Sequence, residues 1–198
     1  YKRQGRGGKG VKGANLREED FVEHMFSAYS HDNIMFITSK GRAFCLEVWE
    51  LPEGQKVGKG VSIKTVLPKL EQDETISSVI DFKEFADDKF ILMATRYGVV
   101  KQVKLKDFIN GRKNGMRAIE LDEGDSLVKC CFVEPDDNAF LVSRNGKGLR
   151  FNVNDVRVMG RTAHGVRGLN LSEGDEIIGL IKVEEGKRIV LVTEKGKG

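Results

Sequence analysis

Four short apolar runs set the rhythm of the chain: Ile34 to Ile37, Phe90 to Ala94, Ala139 to Val142 and Ile189 to Val192. Each is closed by Ser/Thr-x-x-Gly, at Thr38 to Gly41, Thr95 to Gly98, Ser143 to Gly146 and Thr193 to Gly196. Apolar runs of four or five residues ended by a glycine turn predict strands rather than helices. Being apolar on successive residues, they are expected to be buried on both faces. The stretches that follow two of them, Val99 to Leu105 and Leu149 to Val153, alternate more and are expected further out.

Two more markers precede each run. One is a Leu followed by an acidic turn, beginning at Leu16, Leu70, Leu121 and Leu171 with spacings of 54, 51 and 50. The other is a half-apolar stretch: Phe21 to Ala28, Ile76 to Phe82, Leu127 to Val133 and Ile177 to Val183. Gly60-Val61, Gly115-Met116 and Gly165-Val166 share a further position. No 3.6-residue period is sustained, so almost no α-helix is expected. Repeats of roughly 50 residues with about four strands each predict an all-β, propeller-like array. The reading is a single domain over 1–198. A leading segment to about residue 20 precedes repeats at 21–74, 75–125, 126–175 and a partial 176–198, a partial ring of three to four blades. Trp49 is the only Trp and no Trp-Asp signature occurs, which argues against a WD40 propeller.

Charge adds a direction. The 198 residues have a formal net charge of only +3, but Lys2, Arg3, Arg6, Lys9 and Lys12 fall within the first thirteen, with no acid among them. A concentrated basic head on a balanced body points to a local anionic partner. Further along, the Leu-led turns, Asp87-Asp88 and Asp136-Asp137 are acidic. Another set of turns and adjoining strands is basic: Lys40 and Arg42; Arg96, Lys101 and Lys104; Arg144, Lys147 and Arg150. Basic turns at equivalent blade positions are expected on one rim, a track for a phosphate backbone; Arg112, Lys113, Arg161 and Arg167 join it.

Several classes fall away. No apolar run approaches the roughly 20 residues of a transmembrane helix. The start lacks both an initiator Met and a signal-peptide apolar region, suggesting a chain cut from something longer. Cys45, Cys130 and Cys131 form no C-x-x-C pair and read as reduced core residues of a cytosolic protein. His24, His31 and His164 are scattered, so no metal is expected. No paired-carboxylate or Ser/His/Asp arrangement stands out, so no catalytic residue or cofactor is assigned; Tyr1, Tyr29 and Tyr97 read as structural. Basic and aromatic residues are not interleaved as a single-strand stacking platform requires, which favours a duplex.

Gly5-Arg6-Gly7-Gly8-Lys9-Gly10 is no P-loop: no strand precedes it, and Gly10 stands where Ser or Thr is needed. Glycines there would let backbone N–H groups approach phosphates while Arg6 and Lys9 supply charge. The segment Gly5-Arg6-x-x-x-Gly10-Val11-Lys12-Gly13 aligns with Gly160-Arg161-x-x-x-Gly165-Val166-Arg167-Gly168, so the head is a glycine-rich copy of a recurring loop.

Gln4-x-Arg6-Gly7-Gly8-Lys9-Gly10 at the edge of such repeats resembles the box of DNA gyrase A C-terminal domains. The likeness extends to Glu18-Glu19-Asp20-Phe21, Ser30-His31-Asp32, Ser39-Lys40-Gly41-Arg42, Glu71-Gln72-Asp73-Glu74 and the loop from Gly160. The resemblance implies a β-pinwheel, in which neighbouring blades exchange strands and duplex DNA lies around the outer rim. It implies a non-catalytic part of an ATP-hydrolysing topoisomerase that supports negative supercoiling. The catalytic tyrosine would lie on the gyrase A N-terminal domain in cis and ATP binding on the gyrase B subunit, in the bacterial cytoplasm at the nucleoid and not at a membrane. Gln4, Arg6, Gly7, Gly8, Lys9 and Gly10 match the box; Gly5 stands where the family has Arg or Lys, removing one cation. The alternatives are the equivalent domain of topoisomerase IV, whose box is degenerate or absent, and a protein-interaction propeller that docks an acidic partner.

Overall fold

The computed structural model describes residues 21–54, 60–111, 113–192 and 196. Three of the four apolar runs form the middle strands β1 (Asn33–Thr38), β4 (Phe90–Thr95) and β8 (Asn138–Ser143). Each turns back at its Ser/Thr-x-x-Gly into an antiparallel partner: β2 (Arg42–Glu47), β5 (Val99–Lys104) or β9 (Gly148–Asn152). The half-apolar stretches then pair with the other edge of the middle strands, as β3 (Ile76–Phe82), β7 (Leu127–Val133) and β11 (Ile177–Val183). The only α-helical segment among the described residues is the single turn α1 (Ile63–Val66), started by the Ser62 hydroxyl accepting from the Lys64 N–H.

The fourth strand of a blade comes from elsewhere. A two-residue strand, β6 (Met116–Arg117), pairs with β2, and its counterpart β10 (Val166–Arg167) pairs with β5. The chain therefore leaves the hairpin of the second blade, crosses to complete the first, and only then returns to add β7. The sheet orders are β3-β1-β2-β6, β10-β5-β4-β7 and β11-β8-β9. Gly41 and Gly98 admit the crossing segments. Each sits at positive φ, 71° and 89°. The Gly41 carbonyl accepts from Ala118 and Ile119 N–H, the Gly98 carbonyl from Gly168 and Leu169. A Cβ on Gly98 would stand 2.6 Å from the Leu169 carbonyl oxygen.

Burial on both faces follows from stacking the blades. Met35 and Ile37 point to one side of β1 and join Ile91, Met93 and Val103 between the first and second blades. Leu92 and Ala94 point to the other side of β4 and join Ala139, Leu141 and Leu180 between the second and third. Ile34 and Phe36 face away from the second blade, onto Phe44, Leu67 and Leu70. Each of the Leu, Ile, Val, Met and Phe side chains among these contributes roughly 1.5–3 kcal/mol.

Three expectations need correction. The stretch from Val99 is not peripheral: β5 is buried from Val100 to Val103, because β10 covers its edge. Only β9 lies open, exposed from Gly148 to Arg150, where no fourth strand pairs among the described residues. Phe21 to Ala28 is not a strand, and Phe21 and Met25 are exposed, whereas its counterparts β3, β7 and β11 each pair with a preceding hairpin. Ile189 to Val192 likewise takes no strand form and is exposed. Among the described residues, no helix is long and apolar enough to cross a membrane.

Candidate nucleic-acid interface

Antiparallel pairing puts the start of β3 beside the end of β1, so the acidic turn before β3 meets the basic turn after β1. Acidic and basic turns meet at the hairpin ends. Lys40 Nζ lies 2.8 Å from Glu71 and 2.7 Å from Asp73. Their hydrogen bonds, Asp73 first, raise the lysine above its ordinary pKa, and Lys40 in turn lowers both carboxylates. The Arg42 guanidinium bonds the buried Glu74 at 3.0 Å and Glu71 at 3.3 Å while lying over the Phe44 ring. Glu74 also accepts from the Thr38 hydroxyl.

The other blades repeat the device with changes. Arg96 donates to the Tyr97 hydroxyl and the Gly124 carbonyl, and its Nε lies 3.9 Å from Glu176. Arg144 pairs with the same Glu176 at 2.6 Å. Lys147 bonds the Asn170 carbonyl and the Ser172 hydroxyl. The Ser143 hydroxyl donates to Asp175, whose pKa is lowered: burial opposes ionisation, but Ser143 and the N–H groups of Asn145 and Glu176 outweigh it. Lys113 pairs with Glu50 at 3.0 Å. These turns present partly neutralised cations.

Lys101 does not stand on the rim, where its place in an alternating strand put it. It is 0 % exposed, and its Nζ donates to the carbonyls of Ala118 (2.8 Å), Arg161 (2.6 Å) and Ala163 (2.9 Å). Burial first, then the Arg161 charge, pushes its pKa down to about 8 against the opposing pull of Glu120. All three ammonium donors are used inside the fold, so this lysine does not face a phosphate.

The crossing segments supply other cations. Arg167, in β10, is exposed and 3.5 Å from the Asn170 side-chain oxygen. Arg161 is half-buried and its Nη1 donates to the Arg117 carbonyl at 3.2 Å. Arg117, in β6, is exposed and pairs with Glu120. Arg117 is absent from the basic set expected from sequence, although it follows Gly115-Met116 as Arg167 follows Gly165-Val166. Lys104 is half-buried and Arg150 exposed on the open strand β9. Arg112 and the box residues Gln4, Arg6, Gly7, Gly8, Lys9 and Gly10 lie outside the described residues.

The remaining chemistry is quiet. Cys45 and Cys130 are buried and Cys131 half-buried; burial pushes the Cys45 and Cys131 thiols up to about 12 and Cys130 well above its ordinary value. Among the described residues, no group of His, Cys, Asp and Glu is arranged to hold a metal ion.

Comparison with known proteins gives the architecture its family. A family model for the DNA gyrase C-terminal domain, β-propeller, matches residues 1–28, 32–83, 89–130 and 137–184. The DNA gyrase A protein of Leptospira biflexa is 44% identical over 163 residues, 82% of this chain and 19% of that protein. Its Treponema pallidum counterpart is 40% identical, over 82% of this chain and 20% of its own length. Among solved structures, a DNA topoisomerase IV C-terminal domain superposes with a TM-score of 0.78 at 28% identity, covering 88% of this chain and 54% of that one. A DNA gyrase A C-terminal domain gives 0.70 at 28% identity, covering 93% and 59%. The strand-exchanged blades are those of a topoisomerase β-pinwheel. The chain belongs to the DNA gyrase A C-terminal domain family, and it spans about a fifth of the length of the curated relatives it matches.

Proposed function

We propose that this chain binds duplex DNA and wraps it around the rim of the blade array. In the whole enzyme it would support ATP-dependent negative supercoiling, with strand cleavage in the gyrase A N-terminal domain and ATP hydrolysis on gyrase B. The observation that supports this best is the recurrence of Arg117 and Arg167, both exposed, at the same place in successive crossing segments of a chain from this family. Backbone contacts from such residues read no sequence, so little sequence preference is expected. Smooth bending of a short site costs of order 1–6 kcal/mol, which many rim contacts together must offset.

The ion pairs that partly neutralise the hairpin cations favour a second reading, in which the rim holds DNA without wrapping it. One assay separates the two. Nicked plasmid is ligated in the presence of the chain at low salt, and its topoisomers are resolved. Wrapping displaces the distribution in one direction; binding without wrapping retards DNA in a gel and leaves the linking number unchanged. A chain that does neither is a protein-interaction module. The box, outside the described residues, is tested in the same assay: Arg6→Ala with Lys9→Ala abolishes the displacement while weaker rim binding persists. A double variant that wraps like the parent would make the box a linker.

A further inference from the structure

Lys101 stands where the fold elsewhere uses a hydrocarbon. In the hairpin registers, Phe44 pairs with Phe36, Lys101 with Met93, and Leu149 with Leu141, so the three occupy one position in successive blades. Packing at that position is met in the first blade by the buried Phe44, while Leu149 of the open strand β9 is exposed. A lysine buried at that position gives up the hydration of its ammonium, which is unfavourable for an ion unless hydrogen bonds replace the water. Its three carbonyl partners show what replaces it. Ala118 belongs to the segment that crosses to complete the first blade, whereas Arg161 and Ala163 belong to the segment that crosses to complete the second.

Two other contacts join the same two segments. The Glu120 N–H donates to the Ala163 carbonyl, and Arg161 Nη1 donates to the Arg117 carbonyl. The buried ammonium holds the carbonyl of residue 161, and the side chain of the same residue donates to the Arg117 carbonyl on the other segment. The charged groups around the ammonium are Arg161, of like sign, and Glu120, which also pairs with Arg117.

We propose that Lys101 is a positioning residue for nucleic-acid binding, an internal clip that ties the two crossing segments together and so sets Arg117 and Arg161 as one cationic pair on the rim. This rests on the duplex-binding reading above. Lys101 touches no phosphate; it acts through Arg161.

The test uses the full chain with Lys101→Met, Arg161→Ala and both together. Binding to a fluorescent linear duplex is read by anisotropy across a salt series, and thermal unfolding is followed in parallel. Each phosphate contact contributes about 0.9 to the slope of log affinity against log salt. Arg161→Ala is expected to lower the slope by about one contact, and Lys101→Met to lower it equally and weaken binding about three- to tenfold. The double variant is expected to bind no more weakly than the weaker single variant, because one change has already undone what the other acts through. Lys101→Phe, the side chain the first blade uses, is the second variant should Lys101→Met unfold; it keeps the packing and removes the clip, and the same loss of slope is expected. Parent-like binding by a folded Lys101 variant, or losses that multiply in the double variant, would overturn the clip and leave duplex binding standing. Failure of the parent chain to bind would sink both readings.

Discussion

Strand exchange makes a quantitative claim about three glycines at the same hairpin position. Gly41, Gly98 and Gly146 all have positive φ, at 71°, 89° and 85°. Alanine at any of them bears the cost of a left-handed backbone, roughly 1–2 kcal/mol. Their surroundings then separate them. At Gly146 a Cβ meets nothing within 4 Å, and among the described residues no crossing strand pairs with β9. At Gly41 it would meet Ile119 Cγ2 at 2.6 Å, a side-chain atom with some room to turn, and the Ile119 carbonyl oxygen at 3.1 Å. At Gly98 the obstacle is the Leu169 carbonyl oxygen at 2.6 Å, which moves only if the crossing backbone moves. That displacement adds about 1–3 kcal/mol of overpacking. It also loosens two N–H donors held by the Gly98 carbonyl, each worth about 1 kcal/mol. Gly146→Ala is therefore expected to cost about 1 kcal/mol, Gly98→Ala about 4 kcal/mol, and Gly41→Ala an intermediate amount. Urea unfolding of the three variants, followed by circular dichroism with m-values compared, measures the order. Equal losses at all three positions would refute the argument, since they would mean that the crossing segments do not rest on Gly41 and Gly98.

Two further outcomes follow. Lys101 has a folded pKa of about 8 against an ordinary 10.5, so between those values the unfolded chain holds a proton that the folded chain has lost, and stability rises with pH. The gap caps the gain at about 3 kcal/mol. It is read as the difference in urea midpoint between the parent and Lys101→Met from pH 7 to 10.5, which cancels the other lysines; a flat difference would mean that the ammonium is not desolvated. Glu74→Ala removes a buried carboxylate that accepts from Thr38, Arg42 and the Glu71 N–H. A loss of about 2–3 kcal/mol in thermal or urea unfolding is expected. Glu74→Gln keeps one oxygen for Thr38 and should lose less; equal losses would mean that charge, not shape, holds the turn.

What could be read from the chain followed from how far each element reaches. β3, β7 and β11 coincide with the half-apolar stretches from Ile76, Leu127 and Ile177 because they pair within one blade over seven residues, long enough to show a pattern. β6 and β10 are two residues each and pair with a hairpin far back in the sequence, so no periodicity can announce them. Their signal is the repeated Gly-apolar-Arg of 115–117 and 165–167, legible only by comparing repeats. Lys101 defeats the sequence pattern for the opposite reason. A lysine in an alternating strand is ordinarily solvated, and only the register with the buried Phe44 marks the position as interior.

The turns carry a further lesson about charge. Repeats align basic turns with basic turns and acidic with acidic, which suggests two separate faces. Pairing is antiparallel, however, so the turn that ends one strand always lies beside the turn that begins its neighbour, and Lys40 meets Glu71 and Asp73. Lys40, Arg42 and Arg144 are thus spent on carboxylates at the hairpin ends. Arg161 and Arg167, on segments that leave their own blade, have no carboxylate within ion-pairing distance among the described residues. Arg161 and Arg167 are therefore expected to be better placed to meet an external polyanion than the ion-paired Lys40 and Arg42 of the first hairpin. Arg42→Ala should accordingly leave the salt slope of duplex binding nearly unchanged, whereas Arg167→Ala should lower it by about one contact.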